Sequence, residues 1–226
     1  QLTTDQAIED YTILKNILTK VHPSLYEYTT SAEWNDLFTN FEEAILPTIQ
    51  NANDLYKAIT KLTDHARDGH LIVMRPPLDS IPSLFPLLLK IIDKQWYTDT
   101  DDFGIPVGSK MLSINSVNGS ELRERLLSYA PSDGYNTTKK DRQLEREFGI
   151  IHFYEFGVSP TYEVTYKTPS GEVLTKTINS QSFEQIGQRF ANRRSYFGQL
   201  TLGKKIPFLR FIDSLQTAVL TMNSFH

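Results

Sequence analysis

Residues 104–122 read GIPVGSKMLSINSVNGSEL, and this stretch decides the fold class of the chain. Its pattern predicts a glycine turn, a strand, a second turn and the start of a helix, in that order. Because side chains alternate along a strand, we expect Leu112 and Ile114 on one face and Ser113 and Asn115 on the other. The stretch therefore combines β and α signals in one short unit.

The end of the same stretch carries the signals for the turn and the helix start. Asn118 and Gly119 tolerate positive φ angles, so we expect them to form the tight turn. Ser120 is then expected to cap the helix, because its hydroxyl can accept a free amide of the first turn. That turn contains Glu121, whose charge suits a helix start.

The sequence on either side predicts an α+β chain. Apolar residues repeat at helical spacing from near Thr3, Ser31 and Asn53, which predicts a subdomain of three helices. After Pro76 the signals change to strands, including a hairpin around the turn at 169–171. The predicted regions are a helical subdomain at 1–75, a β region with flanking helices at 76–180, and a linker helix with further strands at 181–226.

Several shorter elements complete this prediction. They are strands at 70–74, 86–92 and 95–98, a turn at 93–94, a charged helix at 138–148, a polar helix at 182–194, and final strands at 208–212 and 217–222. The chain begins at Gln1 and ends at His226, directly after an apolar strand. We therefore expect a processed or trimmed start and a cut near the beginning of another domain.

The composition excludes several classes of function. The 226 residues are 39% apolar and 22% charged, which is ordinary for a globular protein. The net charge of −4 provides no field that would attract nucleic acid or an anionic membrane, and no apolar run is long enough to span a bilayer. The chain has no cysteine, so disulfides, thiol catalysis and thiolate metal sites are excluded.

His65, Asp68 and His70 form the densest cluster of titratable residues. They are candidates for two metal ligands or for an acid–base pair, although their spacing matches no common metal signature. The favoured interpretation is a turn at a helix end, in which Asp68 or His70 bonds the backbone. No nucleotide-binding or nucleophile-elbow motif occurs, and the residues alone predict no cofactor, no metal and no persuasive nucleophile.

The order of these segments resembles the carboxyl-terminal processing, or tail-specific, serine peptidases, especially the exported members of Bacteroides-type bacteria. The stretch 22–26 resembles their N-terminal helical region, and Asp68-Gly69-His70 resembles the turn that closes it. The stretch 106–115 resembles their PDZ-type element, although the glycine expected after Asn115 is displaced to Gly119. Residues 133–148 also resemble a part of these peptidases. Residues 217–225 resemble the first strand of their peptidase core.

The resemblance implies a helical subdomain at 1–75, a PDZ-like β region at 76–180, and an exported, periplasmic or cell-envelope location. In this family the serine nucleophile and the lysine base lie in the core that follows such a strand. No catalytic residue is therefore carried over to this chain, which is expected to be inactive alone. Its expected partners are peptide or unfolded-protein C-termini and its own peptidase domain.

PDZ-like domains bind a peptide C-terminus as an added strand between a strand and a helix. Here the resemblance places the strand at 86–92 and the helix at 120–127, with backbone amides near 84–87 holding the carboxylate. The candidate peptide-binding residues are Leu84, Phe85, Leu87, Leu88, Leu89, Leu122 and Leu126. The alternative is a degenerate element that only packs against the core.

Three functions follow from these observations. The first is a non-catalytic region that recognises or gates peptide substrates for a Ser-Lys peptidase core. The second is a peptide-binding or structural module of the cell envelope that is unrelated to proteolysis. The third is a small self-contained enzyme that uses His65, Asp68 and His70.

Overall fold

Three helices form the N-terminal part of the computed structural model, which describes residues 2–78, 80–192 and 208–221. They are α1 (Thr4–Lys20), α2 (Ser31–Asn40) and α3 (Ala52–Thr63). Thr3 and Gln6 bond each other's backbone amides with their side chains, so α1 begins with a capping box. Thr30 and Glu33 cap α2 in the same way. These caps explain why the first two helices begin where the sequence predicts.

The three helices pack around a group of buried side chains that we call the helical cluster. Trp34 lies at its centre, and its Nε1 donates to the carbonyl of Leu25 at 2.9 Å. Tyr11 stacks on Phe41 with ring centroids 4.5 Å apart. The buried members are Ala7, Tyr11, Leu18, Leu25, Trp34, Phe38, Phe41, Leu46, Ile49, Leu55, Leu62 and Ala66.

An antiparallel sheet of six strands follows, and with the helices it confirms the predicted α+β class. The strands are β1 (Leu89–Ile92), β2 (Gln95–Thr98), β3 (Lys110–Ile114), β4 (Val117–Asn118), β5 (Thr161–Lys167) and β6 (Val173–Asn179). Their order is β1-β2-β3-β5-β6, and β4 pairs with β3. The remaining helices of this part are α4 (Gly119–Leu127), α5 (Thr138–Phe156) and α6 (Phe183–Asn192).

The turn within residues 104–122 lies three residues earlier than the sequence predicts. Asn115 and Ser116 have φ angles of 45° and 68°, so they form the two-residue turn between β3 and β4. Asn118 has a φ of −71°, so the predicted turn at Asn118 and Gly119 is wrong. Asn115 suits the left-handed position, and its Oδ1 also accepts the amide of Glu163 in β5 at 2.9 Å.

Asn118, and not Ser120, caps α4. Its Oδ1 accepts the amide of Glu121 at 3.0 Å, while the Ser120 hydroxyl donates to the same Oδ1 at 2.7 Å. Gly119 is the first residue of the helix, where a Cβ would lie 3.2 Å from the carbonyl oxygen of Met111. The glycine therefore permits close packing of α4 on β3.

A β-bulge changes the alternation of side chains in β3. The pairing between β3 and β5 shifts register between Met111 and Ser113. Met111 and Ile114 are consequently the buried residues of β3, whereas Leu112 is only half-buried. The predicted apolar face of Leu112 and Ile114 is therefore wrong at Leu112.

Residues 70–74 do not form the predicted strand. Directly after these residues, side chains of α5 contact the chain: Glu147 pairs with Arg75, and the Tyr154 hydroxyl donates to the carbonyl of Pro76 at 3.4 Å. The strand predicted at 86–92 is shorter than expected, since β1 begins at Leu89. A strand needs a pairing partner, which an alternating pattern cannot reveal.

The sheet, α4 and α5 enclose a second group of buried side chains that we call the sheet cluster. The α5 helix is longer than the predicted 138–148, and its aromatic residues Phe148, Phe153 and Tyr154 belong to this core. The buried members are Tyr56, Leu84, Phe85, Leu87, Leu89, Ile91, Trp96, Ile105, Met111, Ile114, Leu122, Leu126, Tyr129, Leu144, Phe148, Ile151, Phe153, Tyr154, Tyr162, Val164, Tyr166 and Ile178.

The chain divides into two compact units, Gln1–Gly187 and Gln188–His226. In the second unit, β7 (Phe208–Ile212) and β8 (Thr217–Thr221) form an antiparallel hairpin, which confirms the two predicted strands over these residues. Parts of the predictions at 182–194, 217–222 and 217–225 lie outside the described residues. None of the helices that the structure describes is long and apolar enough to cross a membrane.

Candidate functional site

The outer edge of β1 is where an added peptide strand would pair. The amide of Ile91 donates to Oε1 of Glu145 at 2.7 Å, and its carbonyl accepts a guanidinium N–H of Arg142 at 2.6 Å. Both side chains belong to α5. The α5 helix therefore occupies the two backbone groups of Ile91 that an incoming strand would use.

The carboxylate of Glu145 is firmly held in this position. It pairs with Arg142 at 2.8 Å and with Lys90 at 3.1 Å, and its side chain is buried. When a buried carboxylate loses such partners, the folded state is strongly destabilised. The contact with Ile91 is therefore an integral part of the fold around β1.

The seven predicted peptide-binding side chains lie in the core. Six of them, Leu84, Phe85, Leu87, Leu89, Leu122 and Leu126, belong to the sheet cluster, and Leu88 is buried as well. Leu84 also exchanges two backbone hydrogen bonds with Gln181, of 2.8 and 3.0 Å. In this conformation the amide of Leu84 is therefore bonded within the chain.

The predicted turn at the end of the helical region is confirmed at Asp68. Its Oδ1 accepts the backbone amide of His70 at 2.7 Å. Its Oδ2 lies 3.2 Å from Nε2 of His22, whose side chain is nearly buried. The hydrogen bond from the His70 amide lowers the pKa of Asp68, and both neighbouring imidazoles lower it further. Asp68 is therefore ionised at neutral pH.

The imidazole of His70 is exposed beside this carboxylate. Its Nδ1 lies 3.5 Å from Oδ1 of Asp68, and 93% of the side chain is accessible to solvent. A carboxylate at Nδ1 favours the tautomer whose Nε2 can accept a proton. Asp68 and His70 thus form an arrangement that is capable of acid–base chemistry.

The structure separates His65 from this pair and brings Asp133 to it. The ring of His65 lies edge-on to Trp34 with centroids 6.5 Å apart. Ligand-type atoms of Asp68, His70 and Asp133 lie within 4.8 Å of one another and could hold a metal ion. Asp133 already accepts the amide of Gly69 at 2.8 Å, as Asp68 accepts that of His70. The carboxylates of Asp68 and Asp133 are thus already bonded to the backbone of the turn.

A cleft of about 390 Å³ opens next to Asp68, and we call it the α3–α5 cleft. It is lined by Tyr56, Thr60, Thr63, Asp64, Arg67, Asp68, Gly69, Leu71, Ile72, Val73, Met74, Arg75, Ser128, Tyr129, Pro131, Ser132, Lys139, Gln143 and Glu147. Its residues come from α3, the extended segment after it, the loop after α4, and α5. The sequence carries no local signal for this cleft, because its walls are distant along the chain.

A separate buried carboxylate, Glu155, joins α3 to the helices of the sheet region. Its side chain pairs with Lys61 at 3.0 Å and with Arg125 at 2.9 Å, and it accepts the Tyr129 hydroxyl at 3.0 Å. Burial raises the pKa of this carboxyl, but the contacts with Lys61, Lys57 and Arg125 outweigh burial and lower it overall. Glu155 is therefore ionised and has a structural role.

Comparison with known proteins gives a likeness of fold. No family model and no curated protein matches the chain. The structure of mature CPAF, a chlamydial tail-specific protease-like serine protease, is similar at a TM-score of 0.55 and 14% identity. The match covers 78% of this chain and 34% of that one.

A second structure, mature CPAF complexed with lactacystin, gives a TM-score of 0.56 at 13% identity. That match covers 92% of this chain and 41% of the other. The chain thus spans less than half the length of the proteins that it matches. Its fold is similar to that of part of a tail-specific protease-like serine protease.

Proposed function

We propose that this chain is the non-catalytic N-terminal and PDZ-like portion of a tail-specific serine peptidase, of the exported kind found in Bacteroides-type bacteria. Its role is to recognise or gate peptide C-termini for a Ser-Lys core in the same protein, in the periplasm or cell envelope. The observation that carries this proposal is the likeness to CPAF, which extends over most of this chain but less than half of that protein.

The contact at Ile91 favours gating over a permanently open groove. A peptide that adds to β1 needs the amide and carbonyl of Ile91, and Glu145 and Arg142 occupy both. Peptide binding at this edge therefore requires the two side chains of α5 to move. The α5 helix is the gate in this proposal.

Removal of one gate contact tests the proposal. Arg142→Ala frees the carbonyl of Ile91, while the buried Glu145 keeps Lys90 and the amide of Ile91 as partners. A charge-assisted hydrogen bond contributes about 1.5–3 kcal/mol, so we expect a labelled peptide with a free C-terminal carboxylate to bind about tenfold more tightly or better. Fluorescence anisotropy measures this affinity.

Arg146→Ala on the same helix is the matched control, since Arg146 is exposed and has no part in the contact with Ile91. It should bind the peptide like the wild type. Equal binding of the amidated peptide would support the envelope module that is unrelated to proteolysis. Cleavage of an unfolded substrate by the pure chain would contradict the non-catalytic role.

Asp68 and His70 favour a second candidate function, in which the chain contributes a general base. An imidazole oriented by a carboxylate can take the proton of a serine nucleophile, and His70 is exposed enough to meet a serine from another part of the protein. The apo distance of 3.5 Å between Nδ1 and the carboxylate is long for a hydrogen bond, which is common before substrate binds.

Two variants of a protein that contains both this chain and a peptidase core separate the candidates. His70→Ala should reduce kcat by at least about a hundredfold if His70 is the base, with an unchanged melting temperature. His65→Ala is the control, because His65 is exposed and lies outside the pair. Activity that survives both changes would exclude the second candidate and leave the first.

A further inference from the structure

Residues 71–75, which we call the 71–75 segment, form one wall of the α3–α5 cleft, since all five of them line it. Exposure alternates along the segment. Leu71 and Val73 are half-buried, whereas Ile72 and Met74 are 63% and 82% exposed. A period of two is that of an extended chain. None of the strands that the structure describes pairs with this segment.

The backbone of the 71–75 segment has a free edge. In an extended chain the amides and carbonyls of alternate residues point to the same side. Those of Ile72 and Met74 therefore share one edge, and none of these four groups has a hydrogen-bond partner among the described residues. On the other edge, the amide of Leu71 already donates to the carbonyl of Asp68 at 3.2 Å. The edge of Ile72 and Met74 thus offers two donors and two acceptors at the spacing of a strand.

A second peptide backbone is the ligand that matches this row of groups. Its own amides and carbonyls recur at the spacing of a strand, so an added strand can bond both residues in one register. The edge of β1 is not open in the same way, because Glu145 and Arg142 occupy the backbone groups of Ile91. The 71–75 segment is therefore accessible to an incoming strand in the conformation in which β1 is blocked.

The lining of the cleft indicates the chemistry of that peptide. Equal numbers of anions and cations line the cleft, namely Asp64, Asp68 and Glu147 against Arg67, Arg75 and Lys139. A charged chain end gains little from such a balanced lining. Apolar groups, including Tyr56, Tyr129 and Pro131, line the cleft as well. The cleft therefore suits an uncharged stretch from the interior of a chain.

We propose that the 71–75 segment binds an uncharged, internal stretch of an extended peptide as an added β-strand, through the amides and carbonyls of Ile72 and Met74. The exposed side chains of these two residues contact alternate side chains of the added strand, which favours apolar residues there. Unfolded chains supply such stretches, whereas folded proteins pair their own backbone groups. The site is separate from the edge of β1, and the proposal stands if that edge stays closed.

Fluorescence anisotropy with the 226-residue chain tests the proposal. The probe is a labelled hexapeptide of alternating valine and serine, blocked by acetylation and amidation. Met74→Pro removes one amide of the free edge, and an extended backbone before an exposed position accommodates the ring. Its melting temperature should not fall, because the amide has no partner to lose among the described residues.

Met74→Ala is the matched control, because it removes the same side chain but keeps the amide. We expect Met74→Pro to bind the hexapeptide about tenfold more weakly than Met74→Ala, since a carbonyl of the peptide loses its donor and the ring obstructs the edge. Equal affinities of the two variants would contradict backbone pairing at Met74.

Methylation of the peptide provides a second test that leaves the protein unchanged. One hexapeptide is N-methylated at its valines and another at its serines, so that each lacks the amides of one edge. Only one edge of an added strand faces the 71–75 segment. One peptide should therefore bind like the unmethylated probe and the other about tenfold more weakly. Equal affinities of the two, or no binding of the unmethylated probe, would overturn the proposal.

Two further measurements separate this site from other occupants and from β1. Arg142→Ala should leave the affinity for the blocked hexapeptide unchanged, whereas tighter binding would place this peptide at the edge of β1. Analytical ultracentrifugation should give the same mass for the wild type and Met74→Pro. A dimer that Met74→Pro dissociates would show that a second copy of the chain occupies the 71–75 segment, which would overturn the peptide as its ligand.

Discussion

His152 is an ionisable side chain in an aromatic environment. Its ring lies 5.7 Å from those of Phe85 and Phe148, 5.5 Å from Tyr162 and 4.7 Å from Phe156. It is 4% exposed, and its Nδ1 has no hydrogen-bond partner among the described residues. Burial lowers the pKa of His152 to about 4. The native state therefore holds this imidazole neutral throughout the physiological pH range.

His152 should make the protein sensitive to mild acid. In the unfolded chain its pKa is 6.5, so between pH 6.5 and about 4 the unfolded state binds a proton that the native state does not. Stability from this residue is therefore fully present above pH 6.5 and is lost as the pH falls towards 4. The loss between pH 7 and pH 5 is about 2 kcal/mol, as urea unfolding would measure.

His152→Phe should remove this part of the pH dependence, because phenylalanine fits an aromatic site and does not titrate. Other groups titrate equally in both proteins, so the difference in stability between variant and wild type at each pH gives the contribution of His152. A variant that loses as much stability as the wild type between pH 7 and pH 5 would show that His152 is not the cause.

At the scale of elements, the turn between β3 and β4 has the geometry of an Asn-Gly turn but contains serine at its second position. Ser116 has a φ of 68°, which costs an L-residue about 1–2 kcal/mol. Ser116→Gly removes this strain. Glycine also loses more backbone entropy on folding than serine, which costs about 0.5–1 kcal/mol of stability. We expect a net gain of about 0.5 kcal/mol, measurable from urea unfolding.

Ser120→Gly is the control for this change. Ser120 lies in the first turn of α4 and donates to the capping Asn118, so glycine there should lower stability. If Ser116→Gly were as destabilising as Ser120→Gly, the positive φ at Ser116 would not be the source of strain.

The elements show which features of the fold were predictable from the sequence. The starts of the first two helices, near Thr3 and Ser31, and the turn at 93–94, with φ angles of 49° and 63°, depend on neighbouring residues and were predicted. The bulge near Leu112 was missed because it depends on the register with β5. The register is set by the pairing of two strands, so the sequence of one strand does not show it.

The candidate sites depend even more on contacts between residues that are distant in the sequence, so less of them was predictable. The turn at Asp68 was predicted because its partner, the His70 amide, is two residues away. The contact between Ile91 and Glu145 joins residues 54 positions apart, and the α3–α5 cleft joins Thr60 to Ser128. Contacts of this kind follow from the tertiary packing, so single-sequence patterns could not reveal them.

At the scale of the first unit, the helical and sheet clusters are connected through α3. This helix contributes Leu55 and Leu62 to the helical cluster and Tyr56 to the sheet cluster. Beside it, Asp64 pairs with Lys140, and Lys61 pairs with the buried Glu155. Unfolding of either cluster would remove α3 contacts that support the other. We therefore expect both to unfold in one cooperative transition.

The two tryptophans of the chain report on the two clusters separately, since Trp34 lies in the helical cluster and Trp96 in the sheet cluster. Trp96→Phe leaves Trp34 as the only fluorescent indole, and Trp34→Phe leaves Trp96. In each variant the urea midpoint of fluorescence should coincide with that of far-ultraviolet circular dichroism, even if the substitution lowers both. A Trp34 signal that changes at lower urea than the dichroism would show that the helical cluster unfolds first, as a separate cooperative unit. The ion pairs of Asp64 and Glu155 would then be too weak to couple the two cores, contrary to the cost expected when the buried carboxylate of Glu155 loses a partner.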